Sequence, residues 1–414
     1  MSRLAYVGID RQIHLVDPDG RNDVRLSTPL PAEAEAPWGM LQPAREAYSW
    51  PTWSPDGAWV AAFCSAERDD DSGPVRIVAL GVDGVRVEEW ARVEEATPVY
   101  LQWNPRGDAL GVLSQEGNQL TLRVVARGRL GRLRELETGT PLFFGWSPDG
   151  RLLVHVGRAE TGGQLVLRDP LGPRADVIYA SAPGSFCAPV FPGTRPVYAV
   201  ADEEGWSAVV VSRIDGGSPR VLARHPGLLA IMPCPGGLPW IAVSAAQRGE
   251  GTSYDGIDVI HIETGETRRV TDAGCMAFTW SPSGDAVFYA VADSPENGVT
   301  WWRAAADGSG RMRLGTSWPT RDMLFYLHFF DQYVVSHPLV SPDGRWMVWA
   351  GYPAGAGQAD LSVAPRIWVR DLHAPEEPPR AIAEGTFAVF PPAPWADTAP
   401  SETPLAWQDI PEAR

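Results

Sequence analysis

Histidines are the first place to look for chemistry, because imidazole titrates near neutrality and ligates divalent metals. The chain has seven, at 14, 155, 225, 261, 328, 337 and 373. His14, His155 and His261 sit singly inside β-like runs and read as ordinary strand residues. The exception is the aromatic stretch Leu324–His337, where His328, Asp331 and His337 would offer nitrogen and oxygen ligands to a divalent ion. Around them Tyr326, Phe330, Gln332 and Tyr333 make an apolar patch with polar handles, the mixture that interface hot spots favour. Two uses stay open for these seven residues: contact with a partner or ligand, or a metal site. A third, purely structural reading packs the aromatics along a longer strand.

Other chemistries are excluded or weak. Every basic residue is Arg, so there is no lysine for a Schiff base or a phosphate-loop motif. No G-x-S-x-G elbow exists; Gly251-Thr252-Ser253-Tyr254-Asp255 comes closest and fails at its last position. No residue is therefore singled out as catalytic, and no cofactor is expected, a divalent metal being the alternative. The acidic run Asp69-Asp70-Asp71 reads as a solvated hairpin tip, since calcium needs oxygens converging from several positions. Cys64, Cys187, Cys234 and Cys275 lie far apart without C-x-x-C spacing, which points to free thiols in a reducing compartment and a cytoplasmic location. A formal net charge of −16 argues against a nucleic acid or anionic membrane partner. No apolar run is long enough for a membrane span, and Met1-Ser2-Arg3 leads into an apolar stretch too short for a signal peptide.

The elements that would position these groups follow from a repeat. Trp53-Ser54-Pro55-Asp56-Gly57 recurs as Trp103-Asn104-Pro105-Arg106-Gly107, Trp146-Ser147-Pro148-Asp149-Gly150, Trp280-Ser281-Pro282-Ser283-Gly284 and Val340-Ser341-Pro342-Asp343-Gly344. Degenerate copies stand at Phe191-Pro192-Gly193 and Pro235-Gly236-Gly237. The turn prolines are 50, 43, 44, 43, 47 and 60 residues apart, the length of one four-stranded propeller blade. Pro presets φ at the first corner, Asp or Ser caps the turn, and Gly supplies the positive φ that ends it. The preceding Trp is large enough to fill the space between adjacent blades. The 60-residue interval is the anomalous one, and it holds the aromatic stretch; insertions beyond a repeat period are where a specific role is expected.

These motifs resemble the TolB-type propeller repeat, a WSPDG turn followed by an apolar strand and a third strand ending in an Asp-Gly turn. The resemblance covers essentially the whole chain and implies an all-β propeller; it implies little about activity, because such blades serve hydrolases, lyases, scaffolds and receptors. Residues 4–28 supply three strands but no inner one, and Thr386–Pro392 supplies an inner strand without followers. The C-terminal strand then completes the first blade, giving eight blades as in dipeptidyl-peptidase propellers, with six or seven as alternatives if weak units merge. The expected organisation is one propeller domain over 1–392 and a Pro-rich acidic tail over 393–414. The functional expectation is a non-enzymatic scaffold that binds a protein partner, including an accessory subunit docking onto a membrane complex from the cytoplasmic side. The alternative is an enzyme using the central channel, a metal-assisted lyase or a hydrolase.

Overall fold

The computed structural model describes residues 3–27, 46–66, 74–94, 96–128, 131–246, 254–294, 298–353 and 363–393. The acidic run 69–71, the Pro-rich link 28–45 and the tail from 394 onwards lie outside them.

Each WSPDG turn is a small hydrogen-bonded unit. In the first, Ser54 Oγ donates to Asp56 Oδ1 (2.5 Å) and accepts from the Trp59 amide (3.0 Å). Asp56 Oδ1 also takes the Ala58 amide at 3.0 Å, and Gly57 closes the turn at φ 67°. The strands that follow are apolar on both faces, as in Trp59–Ala66 and Leu152–Val156, because each packs between neighbouring blades. The motif tryptophans do more than fill space. Trp53 Nε1 donates to the Val389 carbonyl, Trp103 to Thr52, Trp146 to Gln102 and Trp280 to Met232, each on the inner strand of the preceding blade. Every such bond ties one blade to the last.

Among the described residues these units form eight antiparallel blades. Residues 46–93, 97–139, 142–181, 228–271 and 277–319 each make a four-stranded one. In the blade spanning 190–225 the inner position is held by the single bridge Val190–Val197. In the last blade the strand Trp346–Pro353 has the bridge Val340–Met347 at one end of its inner side and pairs at the other with Ser317–Pro319, the end of the preceding blade's outer strand. The last blade's own outer strand, Arg380–Val389, serves two blades at once. The first part pairs with Arg366–Asp371 (Ile367 opposite Ala383), and the second pairs with Leu4–Gly8 (Ala5 opposite Val389, Tyr6 opposite Ala388). The C-terminal strand thus completes the first blade and closes the ring, as the proline register requires.

One element departs from expectation. The aromatic stretch is not a long inner strand. It folds as two short helices, α1 (Arg321–His328) and α2 (Phe330–Tyr333), followed by turns up to His337. Thr320 caps α1, its Oγ1 accepting from the Met323 amide at 3.1 Å. Buried Met323, Tyr326, Leu327 and Phe330 recur at i, i+3, i+4 and i+7, which is the spacing of one helix face and not of a strand.

Candidate functional site at the propeller axis

The helical insertion fills the channel around which the blades are arranged. It leaves the outer strand Met312–Pro319 at one rim, where the crossovers between blades lie, and descends toward the rim that carries the WSPDG turns. On the way it bonds to one inner strand after another. Thr320 Oγ1 donates to the Thr386 carbonyl (2.6 Å) in the first blade, and Thr52 Oγ1 of the second donates to the Ser336 carbonyl (2.9 Å). Tyr333 Oη donates to the Val99 carbonyl, and Ser336 Oγ to Tyr100 Oη (2.8 Å), both in the third blade. Gln332 takes the Phe144 amide on Oε1 (3.1 Å) and returns a bond from Nε2 to the same residue's carbonyl (2.9 Å). Asp331 Oδ2 accepts the Ala188 amide at 3.2 Å. Phe330 packs on Phe278 and Tyr254, with ring centroids 4.8 and 5.5 Å away. The segment is a plug, held from seven blades.

Burial at the axis governs its electrostatics. His337 is fully buried, and desolvation lowers its pKa to about 3, so its imidazole is neutral. Its Nδ1 lies 2.7 Å from Ser336 Oγ, while Nε2 is buried without a partner. Burial raises Asp331 to about 6, against which the Ala188 amide and the α2 amides pull only partly. Tyr326 and Tyr333 are pushed far above their ordinary value by the same desolvation.

Of the seven residues singled out from sequence, Tyr326, Phe330, Asp331, Gln332, Tyr333 and His337 are buried in the plug, and His328 alone is exposed. His328, Asp331 and His337 are not brought together: the first faces solvent at the end of α1, the second meets Ala188, and the third sits against Trp50 and Tyr100. Among the described residues no three His, Cys, Asp or Glu side chains converge as metal ligation requires. Four residues that the sequence reading passed over matter here. Leu324 and Phe325 of α1 and Phe329 at its C-cap are 46, 37 and 39% exposed; Phe325 and Phe329, their rings 4.8 Å apart, lie on the side away from Met323 and Leu327. Trp50 joins them, half-buried at a break in strand register, with φ 53°. That bulge aims its ring at Phe325, Tyr333 and Phe387, with centroids 5.4, 4.7 and 5.0 Å away. Helical spacing would have marked the helix, but only the packed channel shows which of its residues face outward.

Comparison with known proteins agrees on the architecture. No family model matches the chain, and no curated protein matches it. Among solved structures it is similar to a eukaryotic initiation factor, at 14% identity and a TM-score of 0.54 over 95% of this chain and 99% of that one. A prolyl endopeptidase matches at 12% identity and a TM-score of 0.51, over 87% of this chain and 51% of its own. TolB from Acinetobacter baumannii matches at 14% and 0.42, over 75% of this chain, which spans 62% of that protein's length. At these identities the likeness is one of fold. The molecule is a β-propeller of WSPDG-turn blades, with its axis occupied by its own chain. No helix among the described residues is long and apolar enough to cross a membrane.

Proposed function

We propose that the chain is a non-enzymatic binding module that presents the outer face of α1 to a protein partner. One observation carries this reading: the plug faces inward with its polar groups while leaving Leu324, Phe325 and Phe329 exposed, the two phenyl rings in contact at 4.8 Å. Exposed aromatic clusters of this kind mark interaction sites in soluble proteins, and aromatic anchors dominate the energetics of interfaces. His328, exposed at the end of the same helix, supplies a polar handle beside them. The alternative of an enzyme working in the channel needs its groups at the axis, where Asp331, Gln332 and His337 are packed against inner strands. All four cysteines are free and buried, which suits a reducing, cytoplasmic setting.

The test replaces Phe325 and Phe329 with Ser and compares proteins co-purifying from the native cell with those of the wild-type chain. Loss of a specific partner at an unchanged melting temperature supports the module. An unchanged partner set refutes this surface. Metal analysis of the purified chain guards the alternative: stoichiometric divalent metal that is lost on His337→Ala would overturn the non-enzymatic reading.

A further inference from the structure

The opposite, turn-bearing rim holds a second feature. Where the plug ends, Val334, Val335 and Leu339 floor a cavity of about 240 Å³. Met232, Trp280 and a ring of turn prolines make its walls. Its size is informative, because a cavity of about 150 Å³ in an apolar core accepts benzene. The larger volume here suits a bicyclic ring. The walls are mainly apolar, so the cavity by itself favours an apolar body.

Polarity lies one layer deeper. Phe191, Pro233 and Val335 also line a notch of about 30 Å³, whose remaining walls include Gln102 and Asp331. Gln102 is 6% exposed, and its Oε1 is buried without a hydrogen-bond partner. Asp331, 8% exposed, has the Ala188 amide on Oδ2, and among the described residues no cationic side chain pairs with it. The titratable groups that feel its charge are Tyr100, Cys187 and Tyr254, from three separate segments packed around it. Burial raises the pKa of all three, so they stay neutral near pH 7. The notch therefore presents two acceptors, the unpartnered Gln102 Oε1 and an Asp331 carboxylate bonded by backbone amides alone, with no cationic side chain among the described residues to balance its charge. A buried acceptor without a donor and a buried charge without a counter-charge both cost free energy, and a ligand bringing a cationic donor recovers it.

We propose that the turn-rim cavity and the Asp331–Gln102 notch behind it form one binding site for a small amine, with an aromatic or alicyclic body in the cavity and a protonated nitrogen directed to the carboxylate and the Gln102 Oε1. This site is separate from the α1 face and lies at the other end of the plug.

Two probes of the same ring system separate the parts of the claim: tryptamine, which carries the ammonium, and indole, which lacks it. Titration calorimetry on the full chain at pH 7.5 should show tryptamine binding about tenfold or more tighter than indole. At pH 5, where Asp331 holds its proton, the gap should shrink. Asp331→Asn should abolish the preference while circular dichroism stays that of the wild type. Val335→Trp should fill the cavity and remove binding of both probes, and Thr194→Trp at the exposed lip does the same without touching the plug. Equal affinity for the two probes, or no binding of either, overturns the proposal. So does binding that emerges only after Trp395→Ala and Trp407→Ala, because the chain's own segment would then be the occupant.

Discussion

Replacing Asp331 with Asn should stabilise the protein near neutral pH, by an amount that disappears in acid. The carboxyl's pKa rises from 3.8 to about 6 on folding, because burial disfavours its charged form. The unfolded chain therefore gives up this proton near pH 4, while the folded chain keeps it until about pH 6. Between those values the native state holds more protons, so stability falls as pH rises through the window. Above it the full penalty of about two units persists, worth about 3 kcal/mol. Asn cannot titrate. Its side-chain oxygen can still accept the Ala188 amide, and it carries no charge to desolvate. Urea unfolding of variant and wild type, compared at pH 4 and pH 7.5, reads this difference while other titrations cancel. The variant should gain up to about 3 kcal/mol at pH 7.5 and about nothing at pH 4. A variant less stable at pH 7.5, or a difference that does not change with pH, would show that the carboxylate is held charged by a partner and refute the reasoning.

Three further substitutions test how the ring is held. Trp103→Phe keeps most of the packing but strands the Thr52 carbonyl, so a loss of about 1–3 kcal/mol in denaturant unfolding is expected; no loss would mean that the indole bond is incidental. Phe387→Ala empties a fully buried position where the closing strand meets Trp50 and Tyr326, and should cost about 3–5 kcal/mol; a cost below about 1 kcal/mol would show that the clasp does not seal the ring. Thr320→Ala removes both the α1 cap and the bond to Thr386, so about 1–2 kcal/mol should be lost, with faster amide exchange in α1 as the local readout.

The blades were legible because their information is local. Five residues such as Trp53–Gly57 determine a turn through bonds among themselves and to the two residues that follow, and the interval between such turns then counts the strands. Closure was legible too, because Pro392 falls in register 50 residues after Pro342 with an apolar run just before it. The plug was not. Its aromatic content favours a strand by propensity, and only the recurrence of Met323, Tyr326, Leu327 and Phe330 behind a capping Thr320 marks a helix. Even that pattern does not say which face is covered, because Tyr333 and Gln332 are buried by Val99 and Phe144, more than 180 residues away. The outward residues Leu324, Phe325 and Phe329 could be told from the inward ones only once the channel was there to receive the others.

That dependence also changes how the repeats cohere. In a chain of repeats each unit contacts its neighbours, and stability is close to a sum of unit and nearest-neighbour terms. The tryptophan bonds from one blade to the preceding inner strand are contacts of that kind. The plug adds another class. Within eighteen residues it bonds or packs to the first blade through Thr320, the second and third through Ser336, the fourth through Gln332, the fifth through Asp331, and the sixth and seventh through Phe330. A blade that loosens must therefore break with the hub as well as with its two neighbours, which couples distant blades through one short segment. The same segment ends in the exposed α1 face at one rim and in Val334 and Val335 beneath the cavity at the other. Whatever binds at either rim acts on the element that ties the blades together.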